Sequence, residues 1–102
     1  MTTKTKLANA EPRDGVPVRL GQIMATPAAL SALTETDIRT ALARHRRGDW
    51  GECCPDDAAE NDRSLTTERR LLSVYRSTGD VKFWIITEAD RSLTTVLLPE
   101  EY

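Results

Sequence analysis

The last third of the sequence contains three successive runs of β-branched and aromatic residues, separated by two turn-forming clusters. The runs are Leu71–Arg76, Val81–Glu88 and Leu93–Leu98. Ser77-Thr78-Gly79-Asp80 separates the first two runs, and Ala89-Asp90-Arg91-Ser92 separates the last two. Short strands joined by such clusters predict an antiparallel meander, in which Lys82 to Glu88 is the central strand.

The predicted register follows from the two turns. A two-residue loop at Thr78-Gly79 places Val74 opposite Phe83, and pairing Glu88 with Leu93 fixes the second hairpin. Because side chains alternate along a strand, one face then forms a coherent apolar core. The residues of this predicted core face are Leu72, Val74, Phe83, Ile85, Val96 and Leu98.

The opposite face of the predicted meander is also apolar. Its large side chains are Leu71, Tyr75, Trp84, Ile86, Leu93 and Leu97. Since a face this apolar is not typical of a solvated surface, we expect either the N-terminal half or a second chain to cover it. The residues predicted to bind a partner lie on this face and on the second turn, and they are Trp84, Ile86, Leu97, Asp90 and Arg91.

The first half of the chain predicts one strand and two or three short helices. Residues 1–15 are polar and aperiodic, so we expect a flexible arm, followed by a single domain over residues 16–102. Val16 to Ala25 predicts a strand in which Gly21 makes a bulge. The predicted fold class is α+β, with an antiparallel sheet, made of the meander and this N-terminal strand, packed against the helices.

The helix predictions rest on caps and periodicity. Thr26 caps a first helix, Pro27 to Leu33, and Thr34 or Thr36 starts a second that runs to Arg47. Pro55 opens a third helix that extends from Asp56 to about Leu65. In the second helix the apolar stripe is Ile38, Ala41, Leu42 and His45.

Composition limits the classes of function. A chain of 102 residues with net charge -2 is one small domain without a global signal for nucleic-acid or membrane binding. Cys53 and Cys54 are adjacent and have no third cysteine as a partner, which favours reduced thiols and a cytoplasmic location. The cysteines lack the spacing of a metal site, and no glycine-rich phosphate loop is present, so we expect neither metal nor cofactor.

His45 is the main candidate for catalysis, because a histidine can act as a general acid or base near neutral pH. A small ribonuclease-like toxin is the enzymatic alternative, with His45, Arg76, Thr87 and Arg91 as its catalytic residues. A packed histidine bonded within the core is the other interpretation. Nucleic-acid binding is a further alternative, through a basic groove formed by Arg44, Arg46, Arg47 and Arg70.

Three segments resemble a group of short, uncharacterised proteobacterial proteins that occur on plasmids and integrating conjugative elements. The segments are GQIMATPAAL (21–30), ARHRRGDWGE (43–52) and KFWIITEADRSLTTVLLPEEY (82–102). Some members carry an automatic label as a type I restriction modification subunit. This chain lacks the Asn/Asp-Pro-Pro-Tyr/Phe tetrapeptide and the glycine-rich loop of a methyltransferase. The resemblance therefore implies a mobile-element setting and no mechanism.

Together these observations predict a non-enzymatic accessory or interaction protein of a mobile genetic element. Its partner would be another protein or a second copy, bound through the sheet face and the second hairpin turn.

Overall fold

A computed structural model describes residues 3–4 and 18–102. It shows an α+β fold with a five-stranded sheet in the order β1-β2-β5-β4-β3 and three helices on one face. The strands are β1 (Thr3–Lys4), β2 (Gln22–Ala25), β3 (Leu71–Arg76), β4 (Lys82–Thr87) and β5 (Leu93–Leu97). The helices are α1 (Pro27–Ala32), α2 (Glu35–Arg46) and α3 (Pro55–Thr67), and a 3-10 turn spans Pro99–Glu101.

The sheet is mixed rather than purely antiparallel. β2 runs parallel to β5, with Gln22 opposite Leu93 and Ala25 opposite Val96, whereas the other strand pairs are antiparallel. A parallel neighbour needs a long crossover connection, and here the three helices and the β3–β4 hairpin provide it. The prediction of an antiparallel sheet was therefore wrong for this one pair.

The N-terminal strand is shorter than predicted. β2 begins at Gln22, the positions 16 and 17 lie outside the described residues, and Gly21 precedes the strand instead of forming a bulge within it. Gly21 has φ 64°, and a Cβ at this position would lie 2.5 Å from the carbonyl oxygens of Arg91 and Ser92. Glycine is required here because another chain segment passes directly over its Cα. The predicted arm lies outside the described residues except for β1.

The register of the first hairpin differs from the prediction by one residue. Val74 lies opposite Trp84, and Tyr75 lies opposite Phe83. The loop has three residues, because Ser77 N–H donates to the carbonyl of Val81. Within this loop Asp80, at φ 66°, takes the left-handed conformation.

This shift exchanges the two faces of β3 and leaves those of β4 and β5 as predicted. The β4–β5 register is confirmed, with Ile85 opposite Val96. Phe83, Ile85 and Val96 are at most 1% exposed beneath the helices. The residues of β3 on this covered face are Leu71, Ser73 and Tyr75, in place of the predicted Leu72 and Val74.

Local capping explains where the helices begin. Thr26 Oγ1 accepts from Ala29 N–H at the start of α1, and Thr34 Oγ1 accepts from Asp37 N–H at the start of α2. Asp37 also accepts from the backbone and the hydroxyl of Thr78, which ties α2 to the first hairpin. Helix α3 begins at Pro55 and is two residues longer than predicted at its C-terminal end.

The outer edge of β3 is closed by groups that are not strands. The Asn61 amide donates to Leu72 O at 2.7 Å and accepts from Leu72 N–H at 3.1 Å, which reproduces a strand partner. Val74 N–H donates to Trp50 O, and Val74 O accepts from Glu52 N–H. Since unpaired edge groups invite another strand, this arrangement blocks edge-to-edge association at β3.

Candidate functional site

A chain of polar side chains runs through the covered side of the sheet. His45 Nδ1 lies 2.5 Å from Ser73 Oγ, and His45 Nε2 lies 2.8 Å from Thr87 Oγ1. Thr87 Oγ1 lies 2.8 Å from Thr94 Oγ1, which donates to the carbonyl of Leu20 at 2.7 Å. The four side chains are completely buried, and each is hydrogen-bonded within the chain.

The Leu20 carbonyl determines which group donates and which accepts in each hydrogen bond of this series of side chains. A carbonyl only accepts, so Thr94 donates to it and accepts from the hydroxyl of Thr87. Thr87 must then accept from His45, which places the ring proton on Nε2. Nδ1 accepts the hydroxyl proton of Ser73, so His45 is neutral and held in one tautomer.

Burial explains why His45 stays neutral. Loss of hydration, with a smaller effect of the Arg91 charge, lowers the pKa of His45 from its ordinary 6.5 to about 3. Trp50 packs edge-on against the imidazole at 5.7 Å, and its indole N–H donates to Asp62 at 2.9 Å. This enclosure keeps water away from the ring, so the arrangement is that of a structural histidine.

The predicted catalytic set comes together only in part. His45 and Thr87 are in contact, but on β3 Arg76 alternates with Tyr75 and so points to the opposite face of the sheet. There Arg76 pairs with Glu52 at 3.2 Å and with Asp80 at 3.3 Å. A substrate therefore cannot reach His45 and Arg76 together without opening the sheet.

Arg91 is occupied by the backbone of neighbouring segments. Its guanidinium donates to Ser64 O at 2.8 Å and to Arg69 O at 2.6 Å, near the end of α3. It therefore fastens the second hairpin to that helix. Asp90 accepts from the backbone and the hydroxyl of Ser92, which closes the turn.

The face of the sheet opposite the helices is called the open face below. It carries, on the four longer strands, Gln22, Met24, Leu72, Val74, Arg76, Lys82, Trp84, Ile86, Leu93, Thr95 and Leu97. Ile86 and Leu97 are 4% and 7% exposed, whereas Trp84 is half-buried. All three helices pack on the other side of the sheet, and of these three apolar side chains only Trp84 is partly open to solvent.

Tyr102 extends the open face by one more aromatic ring. Its ring lies 5.4 Å from that of Trp84 in an edge-on arrangement, and its hydroxyl accepts from Arg70 at 2.7 Å. The Arg70 guanidinium also lies 5.8 Å from the Tyr102 ring centre. Sequence reasoning missed this contact, because the Pro99–Glu101 turn redirects the chain back onto the sheet.

The arginines of the predicted basic groove make separate contacts. Arg44 pairs with Asp49 through two hydrogen bonds, of 2.7 and 3.2 Å, and lies over the Tyr75 ring. Arg47 donates to a carbonyl of its own helix, and Arg70 pairs with Glu88 at 3.5 Å. Arg46 is half-buried at the end of α2. Three of the four arginines are therefore engaged by groups of their own chain.

Comparisons with known proteins assign the chain to no family. No family model, no curated protein and no solved structure matches the chain. Among residues 18–102 no group of three or more histidine, cysteine and acidic side chains is placed to hold a metal ion. No helix in that part of the chain is long and apolar enough to cross a membrane.

Proposed function

We propose that this chain is a non-enzymatic interaction protein that binds a protein partner through the open face of its sheet. The observation that carries the proposal is the position of Trp84, which lies half-buried on a central strand, on the face opposite all three helices. Large aromatic side chains on such faces are typical anchors of protein interfaces. The Asp90-Arg91 turn contributes less than the sequence suggested, because both side chains bind their own chain.

The cellular setting is a second part of the proposal. We propose an accessory role in a mobile genetic element of a bacterium, on the basis of the three resembling segments alone. The free cysteines, Cys53 and Cys54, favour the reducing cytoplasm as its location.

The ribonuclease-like alternative has weaker support. It is favoured by the 2.8 Å contact between His45 and Thr87, which are two of its predicted residues. It is disfavoured by the complete burial of His45 and by the position of Arg76 on the other face. Inducing the gene in a bacterial host tests it, and normal growth with intact RNA eliminates it.

Capture with matched variants tests the interaction proposal. Trp84→Ser removes the anchor, and Leu30→Ser is the control, since Leu30 is an exposed apolar residue of α1 on the helix side. We expect a captured protein to be absent with Trp84→Ser and present with Leu30→Ser. The same protein, once purified, should bind the wild-type chain again. Light scattering identifies a second copy of the chain as the partner if only Trp84→Ser dissociates a dimer. Identical capture by both variants contradicts the proposal.

A further inference from the structure

Tyr102 lies on the open face, but its side chain makes few contacts there. It is 67% exposed, whereas Leu30, the other exposed large apolar residue of the described part, is 37% exposed. Its side chain contacts two residues: the ring packs edge-on against Trp84, and Arg70 donates to the hydroxyl and lies 5.8 Å from the ring centre. Water competes with both contacts at this exposure, so the ring leaves its position at low cost.

The turn before Tyr102 is anchored independently of the ring. The Glu101 carboxylate accepts from Leu98 N–H at 2.8 Å and from the Thr26 hydroxyl at 2.7 Å. The backbone therefore stays in place when the tyrosine ring swings away from Trp84. This arrangement permits exchange of one aromatic ring for another without unfolding.

The charges beside Trp84 favour an acidic group on an incoming ligand. Lys82 lies two residues before Trp84 on the same face, and it makes no ion pair within the described residues. Arg70 approaches Trp84 from the other side, through its bond to Tyr102, and its ion pair with Glu88 is long, at 3.5 Å. A carboxylate beside an aromatic ring would complement both cations.

We infer that Tyr102 is an internal occupant of the partner site, and that the partner presents an aromatic side chain with a carboxylate beside it. This inference rests on the proposed function and adds the chemistry of the partner. The partner ring replaces Tyr102 against Trp84, and its carboxylate pairs with Lys82 or Arg70. The chain's own Pro-Glu-Glu-Tyr, residues 99–102, has the same composition and serves as a model ligand.

The test uses an acetylated, amidated Pro-Glu-Glu-Tyr peptide, titrated into wild-type and Tyr102→Ala chains and followed by NMR. The Trp84 indole signal reports the open face, and the Trp50 indole, which is buried and bonded to Asp62, is an internal control. We expect Trp84 alone to shift. We expect the variant to bind about 5- to 10-fold more tightly, because removing the occupant increases the fraction of chains with a free site.

Two further peptides separate the aromatic and acidic contributions. Pro-Glu-Glu-Ala and Pro-Lys-Lys-Tyr should each bind the Tyr102→Ala chain at least about fivefold more weakly than Pro-Glu-Glu-Tyr. Tyr102→Ala should keep the wild-type circular dichroism spectrum, since the ring is exposed.

Equal affinities for wild type and Tyr102→Ala, an unmoved Trp84 signal, or equal binding of the lysine peptide would each overturn the inference. These outcomes are distinct from failure of the proposed function. If partner capture still depends on Trp84, the open face remains the binding surface and only the chemistry inferred for the partner is lost. If Trp84→Ser leaves capture unchanged, both fail.

Discussion

Lowering the pH from 7 to 5 should destabilise the protein through His45. The folded state holds the imidazole neutral, with a pKa of about 3, whereas the unfolded chain has the ordinary value of 6.5. Above pH 6.5 the imidazole is neutral in both states, so its titration does not affect the free energy of unfolding. As the pH drops from 6.5 towards 3, the free energy of unfolding falls. In this pH range His45 binds a proton in the unfolded state but not in the folded state.

The magnitude follows from the width of this window. One pKa unit corresponds to about 1.4 kcal/mol, so the 1.5 pH units between 6.5 and 5 correspond to a loss of about 2 kcal/mol. The carboxylates affect the free energy of unfolding at lower pH. Hydrogen bonds from Arg44 and Arg76 hold the pKa values of Asp49 and Glu52 below their ordinary 3.8 and 4.5, so their contributions are lost only below those values.

Urea unfolding at pH 7, 6 and 5 measures the effect, with His45→Gln as the matched variant. Glutamine can accept from Ser73 and donate to Thr87 but does not titrate. The variant should lose roughly 1–3 kcal/mol at pH 7, because it packs less well, and should show a flat profile between pH 7 and 5. A wild-type change below about 0.5 kcal/mol, or the same slope in both proteins, would refute the reasoning.

Three further substitutions test the supports of the sheet. Asn61→Ala should cost about 2 kcal/mol in urea unfolding, since it leaves Leu72 N–H unpaired and Leu72 O with only the Cys53 thiol as donor, and light scattering should show self-association through the opened edge. Gly51→Ala should cost at least about 2 kcal/mol, because φ is 72° and a Cβ would collide with the carbonyl of Val74; normal thermal unfolding would contradict this. Arg91→Met should cost about 2 kcal/mol in urea unfolding through its lost carbonyl bonds, and an unchanged free energy of unfolding would contradict this.

Local signals predicted the elements well. The helix start at Thr26 and the register of the β4–β5 hairpin are confirmed, and of the two starts considered for the second helix Thr34 is the one observed. Caps and turn residues are predictable because they act within a few positions. The periodicity of α2 correctly placed His45 on the buried stripe.

Two features could not be predicted because their causes are less local or less specific. A Thr-Gly pair permits a two-residue loop, but Ser77 accepts from Gly79 N–H and Val81 N–H through its hydroxyl and stabilises a three-residue loop instead. A one-residue error in register exchanges the two faces of β3. The contact of Ser73 with His45 therefore could not be predicted. The parallel pairing of β2 with β5 joins segments about 70 positions apart, which no local pattern records.

The position of the partner on the fold is tested most directly by hydroxyl-radical footprinting of the chain alone and in the complex recovered by capture. In the free chain Trp84 and Tyr102 should be oxidised, whereas the buried Trp50 should not. In the complex we expect protection of Trp84, with unchanged oxidation of Leu30 on the helix side. Protection of Leu30 while Trp84 remains reactive would contradict binding through the open face.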